Sequence, residues 1–241
     1  MDADEFGQHI SRSFNDELEK LRNSVLAMGG LVEQQFDRAV ESLANADSDL
    51  GLKVANDDYK VNKMEVAIDE ECSRILATRA PTASDLRLII AIIKTITDLE
   101  RIGDEAERIG ELAARLAAQE RPSTNYRELR NLARHVKEML RGTLDAFARL
   151  DADSALEIVK ADDIVDEEYE SINRQSITFM MEDPRTITRV LDTTWMARSM
   201  ERIGDHCKNI CEYVVFMVHG KDIRYTRSNE DAQGVSQLPN R

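Results

Sequence analysis

Apolar residues recur three and four positions apart along most of this chain. Met196, Met200, Ile203, Cys207, Ile210 and Val214 form one such row, the spacing that lines one face of a helix. Pro81, Pro122 and Pro184 interrupt the pattern, and Pro239 lies in a polar tail. Between these breaks the sequence predicts six helices. The first runs from about Phe14 to Asn45 and the second from about Asp49 to Thr78. The third opens after Thr82-Ala-Ser-Asp85, a capping-box sequence, and reaches about Ala118. Asn125-Tyr-Arg-Glu128 could cap the fourth, which ends near Leu150. The fifth spans about Ala152–Met181 and the sixth about Arg185–Val218. Thirty residues of helix make a rod of about 45 Å. The tail after His219 is polar and aperiodic and is expected to be mobile.

The six predicted helices read as three helices written twice. Glu100-Arg-Ile-Gly-Asp104 recurs as Glu201-Arg-Ile-Gly-Asp205, and Ile109 and Glu111 match Ile210 and Glu212. That is seven identities in twelve positions. Upstream, Asp58 and Val61 match Asp162 and Val165, and Ile68 matches Ile172. The helices after Ala46-Asp-Ser-Asp49 and Leu150-Asp-Ala-Asp153 both open on acids, which suits the positive end of a helix dipole. Duplication accounts for this spacing. Each three-helix unit has an apolar stripe to bury, so the expected fold is all-α: two tandem three-helix bundles with pseudo-twofold symmetry. The expected units are residues 5–120 and 121–220, with 221–241 as the tail.

Composition agrees with helix, and charge narrows the function. Only 10 Gly and 4 Pro occur in 241 residues, and aromatics are 5%, so strand-rich folds are disfavoured. The net charge of −14 excludes a nucleic-acid reading, which needs a basic face to displace counterions. It also disfavours direct contact with anionic lipid. The longest apolar run, Leu88–Ile93, is far too short to cross a membrane. MDADEFGQHI is acidic where a signal peptide would be basic and then apolar. A cytoplasmic protein is therefore expected. Cys72, Cys207 and Cys211 form no disulfide framework.

The candidate chemistry is carboxylate chemistry. On a helix, Glu100 and Asp104 share a face, as do Glu201 and Asp205, opposite the apolar stripe. Asp58, Asn62, Glu65 and Asp69 form a second row at i, i+4, i+7 and i+11. If these helices lie side by side, the rows converge, and an all-oxygen site would suit Mg, Mn or Fe. The competing reading is a solvated face, neutralised by Arg101 and Arg202 within the motifs. Gly103 and Gly204 each cost a helix about 1 kcal/mol against alanine, and tight helix packing is the simpler reason for them. Cys207 and Cys211 fall on the core stripe and read as a buried reduced pair. His206 stands alone, and His135 and Lys137 lie on a charged face. No nucleophile constellation, phosphate loop or Glu-x-x-His pair occurs, so no enzyme is expected.

Two three-helix halves, each carrying Glu-Arg-Ile-Gly-Asp, resemble the PhoU family of phosphate-specific transport system accessory proteins. Met28-Gly-Gly-Leu-Val-Glu33, Val66-Ala-Ile-Asp-Glu70, Pro81–Arg87, Leu144–Arg149 and Met180–Asp183 extend the resemblance over residues 5 to 225. It implies a homodimeric cytoplasmic negative regulator of the phosphate-starvation response. Its implied partners are the ATPase-bearing phosphate ABC transporter and a sensor histidine kinase, with recruitment to the inner membrane through those proteins. It also implies metal at the acidic motifs, Fe, Zn, Mn or Mg. Carried onto this chain, Glu100 and Asp104 would form one site and Glu201 and Asp205 the other. Asp58, Glu65, Asp69, Asp162 and Asp166 would be additional ligands. The position matching Glu65 is Tyr169, and that matching Asp69 is Asn173, so the second acidic row is thinner. The alternative function is a metal-binding or metal-storing helical protein.

Overall fold

The computed structural model describes residues 3–119, 122 and 126–223. It is all-α, with no strand among the described residues. The helices are α1 (Ala3–Asn45), α2 (Ser48–Asp57), α3 (Tyr59–Thr78), α4 (Ala83–Ala117), α5 (Arg127–Arg149), α6 (Ala152–Glu182) and α7 (Ile187–His219). A 3₁₀ turn, Pro184–Thr186, precedes α7. Five of the six predicted helices are continuous. The second is interrupted at Asp58, so it is written as α2 and α3. There the Val61 N–H bonds the Asp58 carbonyl at 2.8 Å, three residues back instead of four, which tightens the turn without proline or glycine. The first helix also starts earlier than its apolar pattern does. Asn125, expected as a cap, and the tail from 224 onward lie outside the described residues.

The duplication extends to the turns. Ala46 and Leu150 both adopt the left-handed conformation, each at φ 53°. The Asp47 N–H reaches the Ser42 carbonyl, and the Asp151 N–H reaches the Ala146 carbonyl, both at 3.0 Å. These six-to-one bonds end α1 and α5 in the same way. The same aspartates then open the next helix: Asp47 accepts from the Leu50 N–H at 2.9 Å, and Asp151 from the Ser154 N–H at 3.0 Å. Thr82 and Asp85 form the predicted capping box on α4.

Packing centres on α4 and α7, which run antiparallel. Asp98 faces His206, Glu105 faces Arg202, Arg108 faces Trp195 and Arg115 faces Asp192. Helix α1 lies against α2, α3 and α4 and also touches α5, while α5 and α6 lie against α7. The predicted stripe Met196, Met200, Ile203, Cys207, Ile210 and Val214 is fully buried. It joins Phe36, Ile92, Ile96, Ile102, Ile109 and Phe147 in one apolar core that runs through both halves. No described helix is long and apolar enough to cross a membrane.

Candidate carboxylate sites

The break between α2 and α3 turns Asp58 towards α4. One carboxylate oxygen each of Asp58, Asp104 and Glu107 lie within 4.8 Å of one another. Asp58 is 4% exposed. Its Oδ2 accepts from Asn62 Nδ2 at 3.2 Å, whereas its Oδ1 makes no close hydrogen bond, and the buried Gln35 amide beside it only tempers the rise in the Asp58 pKa. Gly103 makes the room: a Cβ there would sit 2.9 Å from Asp58 Oδ1 and 3.3 Å from Val61. The motif glycine thus admits a carboxylate as well as a packed neighbour.

Three clustered acids, of which Asp58 is buried, Glu107 half-buried and Asp104 exposed, are poor acids where burial and like charge combine. Burial, then the Asp104 charge, holds Asp58 above the usual aspartate range. Burial, then Glu105, does the same for Asp104, and burial with Asp58 raises Glu107. Glu100 is also raised, by burial and then by Asp104 and Glu65, but it stands outside the close triad. Glu65 accepts a 3.4 Å hydrogen bond from Thr97. Asp69 is exposed and is not part of the group. The two predicted rows therefore meet from Asp58 to Glu65 and part at Asp69.

The second half repeats the frame with different charges. Asp162, 1% exposed, takes the place of Asp58, and a Cβ on Gly204 would lie 3.3 Å from its Oδ1. Lys208 donates to Asp162 Oδ2 at 2.7 Å. Lys208 stands seven residues after Glu201, as Glu107 stands seven after Glu100. Burial works against the ammonium, but the hydrogen bond and charge of Asp162, with Asp205 and Glu212, outweigh it and hold the Lys208 pKa high. Glu201 is pushed up to about 7 by burial and then by Asp205 and Asp166. Asp205 is raised by burial and Asp162, and Asp166 by burial, Asp162 and Asp205. Among the described residues no close group of three acids forms here.

Several neighbours behave differently from the sequence expectation. His206 does not stand alone: its Nδ1 lies 2.7 Å from Asp98 Oδ1, and Asn209 donates to the same oxygen at 3.2 Å, buried between α4 and α7. Against burial, Arg202 lowers the pKa of Asp205 in its own motif, and it also reaches Glu105 on α4 at 2.8 Å. His135 and Lys137 tie α5 to its neighbours, through Glu168 on α6 at 2.9 Å and Asp37 on α1 at 2.7 Å. Cys72, Cys207 and Cys211 are free and buried. Burial pushes the Cys72 and Cys211 thiols up to about 12, and the Cys207 thiol well above its ordinary value, so none offers a thiolate. Glu107 was missed because it differs between the copies. Its signal was present: Glu100, Asp104, Glu107 and Glu111 repeat the i, i+4, i+7, i+11 spacing of the row on the preceding helix.

The PhoU domain model matches residues 25–113 and again 129–214. The chain is 49% identical over 236 residues to the phosphate-specific transport system accessory protein PhoU homolog of Pseudomonas aeruginosa, covering 97% of this chain and 98% of that protein. It is 50% identical over 230 residues to the phosphate-specific transport system accessory protein PhoU of Escherichia coli, covering 95% of each. The crystal structure of PhoU from Pseudomonas aeruginosa superposes with a TM-score of 0.84 at 51% identity, over 86% of this chain and 100% of that one. The crystal structure of the phosphate transport system regulatory protein PhoU from Streptococcus pneumoniae does so with a TM-score of 0.81 at 30% identity, over 87% and 98%.

Proposed function

Because this chain belongs to the PhoU family, we propose that it is a negative regulator of the phosphate-starvation response. In this reading it links the ATPase of a phosphate ABC transporter to a sensor histidine kinase and holds the kinase quiet when phosphate is plentiful. The observation that carries it is full-length similarity, at about half identity, to relatives named as accessory proteins of phosphate-specific transport. The surface suits an adaptor. Ile187, Leu191 and Trp195 are exposed along one face of α7, and Leu86 and Ile90 along α4, which is how helical proteins offer docking surface to other helices. The protein would act in the cytoplasm as a homodimer, held at the inner membrane by proteins, with residues 5–120 and 121–220 as its two units. No catalytic step is assigned to it.

The test is phosphatase activity in a strain lacking this gene, grown in excess phosphate. Constitutive high activity, returned to low by the intact gene, is expected. Normal repression in the deletion strain would remove the reading.

A second reading, metal binding, is favoured by one feature: a buried carboxylate oxygen, Asp58 Oδ1, without a partner beside two further acids. Asp58, Asp104 and Glu107 would hold a hard divalent cation, Mn or Mg before Zn, because all three donors are oxygens. The ion would bring positive charge to the buried Asp58 carboxylate, beyond what Arg101 and Arg202 supply at Asp104. Glu100 and Glu65 flank this site, and Glu201, Asp205, Asp162 and Asp166 are its counterpart in the second half.

A further inference from the structure

We infer that the two carboxylate clusters are not interchangeable: the first takes a divalent cation from solution, and the second excludes one because Lys208 already fills the cation's place. The inference rests on the metal reading of the first cluster, and its test separates the two. Asp58 and Asp162 are equivalent buried acids, each with one oxygen lacking a hydrogen-bond partner. Each lies against the glycine of a repeated motif. What differs is the third group. Glu107 adds a negative charge to the first cluster, and Lys208 adds a positive charge to the second, 2.7 Å from Asp162.

A metal ion entering the second cluster would meet that ammonium at short range. Displacing it would break a pair with a carboxylate that has almost no access to water, which leaves a buried charge uncompensated. Fewer acids are also available there. Tyr169 stands where the first half has Glu65, and among the described residues no close group of three acids forms in the second half. In the first cluster one oxygen each of Asp58, Asp104 and Glu107 lie within 4.8 Å of one another, and the side-chain bond to Asp58 there comes from a neutral amide, Asn62, where Asp162 has an ammonium. Duplication thus produced two frames, of which one carries an internal cation and one recruits its own.

The experiment titrates Mn²⁺ into full-length, chelator-stripped protein by calorimetry and counts bound metal after desalting. Wild type should bind about one equivalent per chain. Glu107→Lys should bind none and, in chelator, should melt higher than wild type. Lys208→Glu should bind about two equivalents, falling back to about one when Asp162→Asn is added. Circular dichroism establishes that each variant is folded. Two equivalents on wild type, or one on wild type with no gain in folded Lys208→Glu, would overturn the role of Lys208. No metal on wild type would sink the first site and the metal reading with it. If Lys208→Glu does not fold, Glu107→Lys decides alone: a folded variant that still binds Mn²⁺ overturns the inference.

Discussion

His206 and Asp98, 108 residues apart in sequence, share a 2.7 Å contact in the interior where α4 crosses α7. Both residues are more than nine-tenths buried. With Asn209 donating to the same carboxylate oxygen, they form a polar lock between two helices that the Glu105–Arg202 ion pair also joins. Losing the carboxylate would leave the imidazole and the amide without their acceptor in a site closed to water. Asp98→Ala should therefore cost about 2–3 kcal/mol, and Asp98→Asn, which keeps an acceptor oxygen, should cost less. Urea unfolding of the two variants beside wild type measures the difference. Equal losses would mean that the pair is dispensable as a hydrogen-bonded unit.

The two helix-opening aspartates should behave alike, because the turns that hold them are alike. Asp47 and Asp151 each follow a left-handed residue and each accept from a backbone N–H of the next helix. Asp151 also accepts from the Ser154 hydroxyl at 2.8 Å. Replacing either with alanine should cost about 1 kcal/mol, with Asp151 the more expensive of the two. Thermal melts of Asp47→Ala and Asp151→Ala give the ranking. The reverse order would show that Ser154 adds nothing to its cap.

Gly103 and Gly204 occupy equivalent places but should not tolerate alanine equally. A methyl at 103 would sit 2.9 Å from Asp58 Oδ1, closer than real contacts allow, whereas at 204 the nearest atom is 3.3 Å away. Alanine gains about 1 kcal/mol of helix propensity at either site. At 204 this gain should nearly offset a small shift of Asp162 or Val165. At 103 the buried Asp58 side chain must move, so Gly103→Ala should melt lower than Gly204→Ala. It should also bind Mn²⁺ more weakly than wild type if Asp58 is a ligand. Equal melting temperatures would remove the steric argument.

Much of this was legible in the sequence, for a physical reason. Helix boundaries follow from apolar period, caps and prolines, all of them local, and the duplicated pentapeptide gave the pseudosymmetry. The row from Met196 to Val214 needed only a period of 3.6 to be placed in the core. What escaped were features that local pattern does not encode. The break at Asp58 has no glycine or proline to announce it. Glu107 lies where the copies disagree, so a reading led by identities passed over the residue that closes the first cluster and over Lys208, which pairs with Asp162 in the second. The partners of His206 and Arg202 come from another helix. Spacing along one helix tells which residues share a face but not which opposing residue meets them. Asp98 did leave a trace, as an acid among the apolar residues of α4.

Acid titration distinguishes the carboxylate grooves from the surface ion pairs, because their pKa values move in opposite directions. Glu17, Asp57, Glu71, Asp151 and Asp183 are held below their ordinary values by hydrogen bonds to cations or to backbone. Their contribution is present at neutral pH and is lost only as pH falls through those low values. Glu201 runs the other way, from 4.5 to about 7 in the folded protein. Its protonated form is favoured by folding, so its contribution is complete below 4.5 and disappears as pH rises through about 7. Asp58, Glu100, Asp104, Glu107, Asp166 and Asp205 are raised in the same sense. In chelator the melting temperature should therefore fall as pH is raised from about 5 to about 8. Glu201→Gln, which cannot ionise, should flatten that slope and melt above wild type at the alkaline end. A variant that tracks wild type across the whole range would show that Glu201 is hydrated enough to titrate as an ordinary surface acid.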